Sequence, residues 1–398
     1  MDITIQPQIL NGKIRAIPSK SQAHRVLICA AFSEKSTNII CPETNQDIEA
    51  TAQCLRALGA NIERTSQGYY VTPCAYIPKK ALLDCVESGS TLRFMLPIVA
   101  ALGVDATFKM SGRLPHRPLS PLWEEMEAHG CELSRPTTDT IRCRGKLNSG
   151  VYTIDGGVSS QFITGLMFAL ALIPGENQLI VTGKVESRPY IEMTNEALVA
   201  FGINAFGNTI QGSYPFSSPG EFTIEGDWSN GAFFTAANAI GNAVDISGLS
   251  ESSTQGDRQV INILNCLDSR ITVDAADIPD LVPILAVSAG AKHGATFINI
   301  ERLRLKESDR VATVSEMLQA LGAETEVTDN ALTVKPAVFR GCTIDAHGDH
   351  RIAMAAAIAA TVATGPVTIL GAQCVTKSYP SFWEEYTNLG GRYEQYIR

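Results

Sequence analysis

Nine residues, Arg302-Leu-Arg-Leu-Lys-Glu-Ser-Asp-Arg310, carry four cations and two acids directly ahead of a stretch, 311–321, with helical apolar periodicity. Lys306 and Arg310 stand one helical turn apart with Glu307 between them. That spacing suits a phosphate or carboxylate held beside a carboxyl group that moves a proton. Composition alone reads such a run as a solvated charged face, and it does not decide between the two.

Polar and charged residues also open every strongly apolar helical stretch. They are Pro18-Ser-Lys-Ser-Gln-Ala-His-Arg25, Glu87-Ser-Gly-Ser-Thr-Leu-Arg93, Val158-Ser-Ser-Gln161, Gly226-Asp-Trp-Ser-Asn230, Asp277-Ile-Pro-Asp280 and Asp345-Ala-His-Gly-Asp-His-Arg351. Unpaired N–H groups and a partial positive charge make a helix start an anion site when several converge. Ser, Asp and Asn at such places are also ordinary N-caps, each contributing about 1 kcal/mol. Capping does not explain Lys20, Arg25, Arg93 and Arg351. Read as first-turn residues, they oppose the helix dipole by roughly 0.3–1 kcal/mol each. A polyanionic ligand is therefore expected.

The elements that must position these residues repeat. An amphipathic helix, a Gly stop and an alternating strand recur from Cys54, Met126, Leu198, Ile263, Met317 and Tyr386. The roughly 55–70 residue spacing suits a βαβαββ-sized unit better than a solenoid repeat. Between the copies lie helices apolar nearly all round, at 22–32, 90–102, 160–172, 230–240, 279–289 and 352–362, as buried helices should be. An α/β fold of six βαβαββ-like units, three per domain, is expected. Ser, Pro and Gly cluster at 212–226. The expected boundaries are 13–225 for one domain and 1–12 with 226–398 for the other.

A formal charge of −9 excludes a broadly basic nucleic-acid-binding surface. The longest apolar stretches are too short and too interrupted to cross a bilayer, and the first residues alternate like a strand with no signal segment, so a cytoplasmic protein without membrane partners is expected. Ten cysteines include no Cys-x-x-Cys pair, and the six histidines do not join them at metal-ligand spacing. With no dinucleotide or nucleotide-phosphate loop either, the expectation is no cofactor and no metal.

In order along the chain, Pro18-Ser-Lys-Ser-Gln-Ala-His-Arg25, Ser159-Ser-Gln161, Ser187-Arg-Pro-Tyr190, Asp277-Ile-Pro-Asp280, Arg304-Leu-Lys-Glu-Ser-Asp-Arg310, Asp349-His-Arg351 and Lys377-Ser-Tyr-Pro380 resemble the motifs of the 5-enolpyruvylshikimate-3-phosphate synthases. The resemblance covers nearly the whole chain. It implies a two-domain inside-out α/β barrel with the active site in the interdomain cleft. It also implies transfer of an enolpyruvyl group from phosphoenolpyruvate to shikimate 3-phosphate, by an enzyme expected to be a monomer. By that likeness Lys20, Ser21, Arg25, Ser159, Ser160, Gln161, Ser187, Tyr190, Asp280 and Lys306 hold shikimate 3-phosphate. Lys20, Gly89, Arg117, Gln161, Arg310, Arg351 and Lys377 surround phosphoenolpyruvate. Asp280 is the expected base at the 5-hydroxyl, with Glu307 and Lys20 as further proton-transfer candidates.

Two positions depart from the family's usual residues: Glu87 in Glu87-Ser-Gly-Ser90, where Asn is frequent, and Arg302, also where an Asn is common. A sister transferase acting on UDP-N-acetylglucosamine is the nearest rival. It normally carries a Cys in the loop that here reads Gly112-Arg-Leu-Pro-His-Arg-Pro118. A catalytically silent binding protein of the same fold is the other rival; Lys20, Asp280 and Glu307, whose loss would mark it, are all present. His24 and His350 are read as either orienting or catalytic groups.

Overall fold

The computed structural model describes residues 1–396. In chain order it begins β1 (Asp2–Gln6), β2 (Asn11–Arg15), α1 (Lys20–Ala31), β3 (Thr37–Ile40), α2 (Gln46–Ala57), β4 (Asn61–Arg64) and β5 (Gly68–Thr72). There follow β6 (Lys80–Asp84), α3 (Gly89–Leu102), β7 (Asp105–Lys109), α4 (Leu122–Ala128), β8 (Cys131–Thr137) and β9 (Thr140–Gly145). Next come β10 (Val151–Asp155), α5 (Ser160–Leu172), β11 (Gly175–Thr182), α6 (Arg188–Ala200), β12 (Ala205–Phe206), β13 (Thr209–Gly212) and β14 (Glu221–Thr223). Then come α7 (Trp228–Ala239), β15 (Ala243–Ser247), α8 (Val260–Cys266), β16 (Ile271–Asp274), α9 (Val282–Ala291), β17 (Ala295–Ile298), α10 (Arg310–Ala320), β18 (Thr325–Val327) and β19 (Ala331–Val334). The chain closes with β20 (Cys342–Asp345), α11 (His350–Ala360), β21 (Val367–Leu370), α12 (Phe382–Asn388) and β22 (Arg392–Tyr396).

These elements form two compact units. A continuous unit spans Pro18–Ile224, and a split unit joins Met1–Ile17 to the chain from Glu225 onward. Residues 13–17, expected in the first domain, belong to the split unit because β2 pairs in parallel with β15 from Asn11↔Ala243 to Arg15↔Ser247.

The continuous unit contains three four-stranded sheets in the orders β14-β3-β5-β4, β6-β7-β9-β8 and β10-β11-β13-β12. Each is a βαβαββ unit whose first two strands are parallel and whose last two form a hairpin. In the first, the opening strand β14 comes from the far end of the segment. Helices α1, α3 and α5 are buried on nearly every face, matching the apolar stretches that predict them. Gly165 of α5 has no room for a Cβ against the Arg93 carbonyl of α3, so these two helices touch backbone to backbone.

The split unit repeats the plan in β16-β17-β19-β18 and in β20-β21-β1-β22, where β1 supplies the last strand. Its interior helices are α7, α9 and α11. Its remaining unit is shorter. The repeat starting at Ile263 reads as helix then strand, but that strand, β16, opens the next unit, and β2–β15 remains a two-stranded sheet. Parallel pairing alternates bonding sides, so Val244 aims its N–H and C=O away from β2. The Asn238 amide accepts from that N–H at 2.7 Å and donates to that C=O at 2.7 Å, replacing one peptide group of the missing hairpin.

Candidate functional site

In the continuous unit the interior helices begin on side-chain caps, as their Ser residues predict. Ser19 accepts from the Gln22 N–H, Ser88 from Thr91 and Ser159 from Gln161. Lys20 is the first residue of α1 and Arg351 the second of α11, but Arg25 and Arg93 lie in second turns, where the dipole no longer acts strongly. Their placement has another cause, which is the set of acceptors around each.

Lys20 is not left to await an anion: its ammonium donates to Asp47 Oδ2 at 2.9 Å, from the first turn of α2. The Asp47 carbonyl meets Thr91 Oγ1, and Thr91 continues to Thr51 and Ser88, tying α1, α2 and α3 together at their polar ends. His24 joins this chain through Nδ1 to Thr51 Oγ1 at 2.7 Å. Burial, against the pull of Asp47, brings its imidazole down to about 3, so it is neutral near pH 7 and moves no proton there.

Arg25 is 2% exposed. Its guanidinium donates to the Ser21 carbonyl at 2.6 Å, the Tyr190 carbonyl at 2.8 Å, Thr194 Oγ1 at 2.9 Å and Thr164 Oγ1 at 3.4 Å. Every acceptor is neutral, and among the described residues no carboxylate pairs with it. Burial lowers it to about 10. Such a cation has acceptors for its protons but none for its charge. Ser21 and Tyr190 thus meet Arg25 through their carbonyls. Ser187, at the start of α6, is buried with φ +55°, a conformation costly for a side chain of this kind.

A second group gathers at Gly89. A Cβ there would lie 2.6 Å from Arg117 Nη1 and 2.8 Å from Arg93 Nη1. Arg93 Nη1 donates to Gln161 Oε1 at 2.8 Å, and Gln161 Nε2 donates to Ser90 Oγ at 2.9 Å, joining α3 to α5. Ser160 is buried beside them in α5. Glu87 packs its carboxyl side chain against Gly112, in the loop that carries Arg117.

In the split unit Arg310, 1% exposed, opens α10 and meets three carboxylates. Nε donates to Asp349 Oδ2 at 2.8 Å, Nη1 to Asp280 Oδ1 at 2.7 Å and Nη2 to Glu307 Oε2 at 2.7 Å. Arg351 Nη2 donates to Asp280 Oδ2 at 3.1 Å, and Lys306 lies 3.6 Å from Asp280 Oδ1. Asp280 stands in the turn before α9, not inside a helix from 279 as the periodicity suggests. Burial raises its carboxyl pKa, but Arg351, Lys306 and Arg310 outweigh it and hold the group well below the usual range. Burial, helped by Arg310 and Arg302 and opposed by Asp280, brings Lys306 down to about 8. Arg302 thus sits close enough to matter electrostatically. Lys377 is buried at the end of a 3-10 turn, and the next residue, Ser378, accepts from Asn230 Nδ2 at 3.4 Å at the start of α7.

The expected residues therefore assemble into clusters within each unit. Lys20, Ser21, Arg25, Gly89, Arg117, Ser159, Ser160, Gln161, Ser187 and Tyr190 belong to the continuous unit, and Asp280, Lys306, Glu307, Arg310, Arg351 and Lys377 to the split one. Sequence reasoning missed Asp47, Thr164 and Thr194. Asp47 is indistinguishable from a first-turn helix acid. Thr164 had a signal, a hydroxyl within an otherwise apolar helix. Among the described residues no group of three or more His, Cys, Asp or Glu side chains is arranged to hold a metal ion.

Comparison with known proteins gives one answer at every level. A family model described as EPSP synthase (3-phosphoshikimate 1-carboxyvinyltransferase) matches residues 5–386. The chain is 36% identical over 420 residues to the 3-phosphoshikimate 1-carboxyvinyltransferase of Clostridium kluyveri, covering 99% of this chain and 98% of the relative. It is 37% identical over 425 residues to that of Clostridium novyi, covering 98% of each. Among solved structures, an EPSP synthase from Acinetobacter baumannii has a TM-score of 0.80 at 22% identity, covering 99% of this chain and all of that one. The enolpyruvyl transferase NikO from Streptomyces tendae has a TM-score of 0.75 at 18% identity, covering 99% and 98%. These two speak to the fold.

Proposed function

Because the chain belongs to the EPSP synthase family, we propose that it transfers the enolpyruvyl group of phosphoenolpyruvate to the 5-hydroxyl of shikimate 3-phosphate and releases phosphate. The observation that carries this reading is the family match over residues 5–386, with curated relatives aligned along 98–99% of the chain.

In the forward direction the 5-oxygen bonds to C2 of phosphoenolpyruvate, the hydroxyl gives up its proton and the methylene carbon gains one. The tetrahedral intermediate then loses phosphate from C2 and a proton from the new methyl group. Arg25 is assigned to the phosphate of shikimate 3-phosphate, supported by its buried and uncompensated charge. Lys20, Ser21, Ser159, Ser160, Gln161, Ser187, Tyr190, Asp280 and Lys306 complete that ligand's contacts. Lys20, Gly89, Arg117, Gln161, Arg310, Arg351 and Lys377 are assigned to phosphoenolpyruvate.

Asp280 is assigned as base at the 5-hydroxyl. With three cations around it, it is ionised but weakly basic. Anions arriving at Arg310 and Arg351 share those guanidinium charges, so the base strengthens only once its substrate is bound. Glu307 and Lys20 remain the proton-transfer candidates toward carbon. The same reading has the protein act as a cytoplasmic monomer; light scattering tests the monomer.

Phosphate release from phosphoenolpyruvate, with shikimate 3-phosphate and UDP-N-acetylglucosamine offered separately, tests the activity. The expected result is release with shikimate 3-phosphate alone, lost in Asp280→Ala. Release with the nucleotide sugar alone, or with neither acceptor in a folded protein, overturns the reading.

A further inference from the structure

Asp257 is a carboxylate that the proposed mechanism does not use, 2% exposed in the 3-10 turn Gly256–Gln259. Its turn is pinned to the start of α7. Gln255 Oε1 accepts from the Trp228 N–H at 3.0 Å, and Gln255 Nε2 donates to Glu225 Oε1 at 2.9 Å and to the Gly226 carbonyl at 2.8 Å. Ser229 Oγ donates to Asp257 Oδ2. Oδ1 is buried and meets no donor. A buried anionic oxygen with no donor is costly; the same oxygen on a neutral acid is far less so.

Three charged groups face Asp257 from the elements around it: Asp280 from the turn before α9, Arg351 from α11, and Asp227, the N-cap of α7. Ser229 connects it to the first two. The Ser229 carbonyl and the Asp280 carbonyl accept from Arg351 Nη1 at 3.5 and 3.3 Å, while Asp280 Oδ2 takes Nη2 at 3.1 Å. Asp257 therefore fixes, by its side chain, the residue whose main chain helps to aim Arg351.

We propose that Asp257 is a positioning residue for the Arg351–Asp280 pair, standing beside it as a neutral acid whose ionisation draws the charge of Arg351 away from an incoming anion. This rests on the assignment of Arg351 to phosphoenolpyruvate. Burial first, and Asp280 second, push the Asp257 carboxyl up to about 7, against Arg351 and Ser229. The switch would thus fall within the working range of pH. Above it, the cluster gains a carboxylate and phosphoenolpyruvate is bound less well, by about tenfold for one added charge in a partly screened site.

The test is the pH profile of kcat/KM for phosphoenolpyruvate in the wild-type protein, Asp257→Asn and Asp257→Ala. It is read beside the infrared band of a protonated carboxyl, taken as the wild-type minus Asp257→Asn difference in substrate-free protein. The wild-type profile should fall about tenfold across neutrality, and the Asn variant should lack that step. At pH 6 the Ala variant, which leaves Ser229 without its acceptor, should lose activity that Asn largely restores. The difference band should be present at pH 6 and fade by pH 8.5. Superimposable wild-type and Asn profiles, or no band at pH 6, overturn the inference. Should the wild-type protein be silent with shikimate 3-phosphate, the functional reading falls alone. The band still decides the proton on Asp257, its presence sustaining the assignment and its absence ending it.

Discussion

Replacing Arg310 by Met keeps most of an apolar stem in place and removes a guanidinium that answers three carboxylates at 2.7–2.8 Å. Removing one partner of a buried pair costs about 3–5 kcal/mol, because the other charge stays buried and unanswered. Here Asp280 retains Arg351 and Lys306, and Asp349 retains Ser308 Oγ and the Arg351 N–H. The loss should therefore lie near 4 kcal/mol at pH 8 rather than at three times that. Its pH dependence follows from sign. In the wild type the depressed Asp280 carboxyl adds stability above the unfolded value near 4, and this is lost as pH falls. In the variant, burial acts on Asp280 with one cation fewer, its carboxyl takes up a proton at higher pH, and the penalty grows as pH rises. The difference between the two proteins should thus shrink by about half between pH 8 and pH 5. Urea unfolding followed by Trp228 and Trp383, both buried in the split unit, measures it in a Trp123→Phe background. Equal losses at the two pH values would refute the electrostatic account and leave packing as the whole effect.

Gly89→Ala should leave stability within about 1 kcal/mol, since the Cβ meets only flexible guanidinium ends, yet raise KM for phosphoenolpyruvate ten- to a hundredfold by displacing Arg117 and Arg93; an unchanged KM would contradict the assignment. The His24 imidazole should show no NMR titration between pH 8 and 5. With its value lowered from 6.5 to about 3, the unfolded chain gains a proton that the native one does not, so about 2 kcal/mol of stability disappears as pH falls from 6.5 to 5; a midpoint near 6 would count against this. Asn238→Ala should cost about 1 kcal/mol and, by baring the edge of β15, produce concentration-dependent association in light scattering; a strictly monomeric variant would show that the edge is protected otherwise.

The sequence carries the interior helices plainly, because near-total burial leaves an apolar record interrupted by one hydroxyl, Thr164, from Phe162 to Leu172 and unbroken from Ile352 to Ala360. The serine and aspartate caps of α1, α3, α5, α7 and α11 were equally readable, whereas α9, for which Asp277-Ile-Pro-Asp280 reads as the opening, starts after Leu281 with no side-chain cap. What the sequence does not carry is pairing across distance. Nothing local says that β14 opens the unit closed by β5, or that β2 lies beside β15. The same blindness affects the charges. Lys20 and Arg310 read as cations in want of a ligand, and both already hold carboxylates, Asp47 from another helix and Asp349 from thirty-nine positions away. Arg25 reads the same way and is different in kind, a distinction visible only when its acceptors are seen to be neutral. Asp257 was unreadable because burial is what makes a carboxylate unusual.

The pairing of β1 and β2 also sets an order in time. These strands are made before the whole of Pro18–Ile224, but β15, β21 and β22, which flank them, come from residues 243 onward. At roughly 5–20 residues per second the ribosome needs on the order of 10–45 s to go from Ile17 to Ala243. Pro18–Ile224 has all its own strands by then and can fold while the leading segment waits unpartnered. During synthesis that leading segment is a task for chaperones, and slowing translation past Ile224 lengthens its exposure without touching the native state.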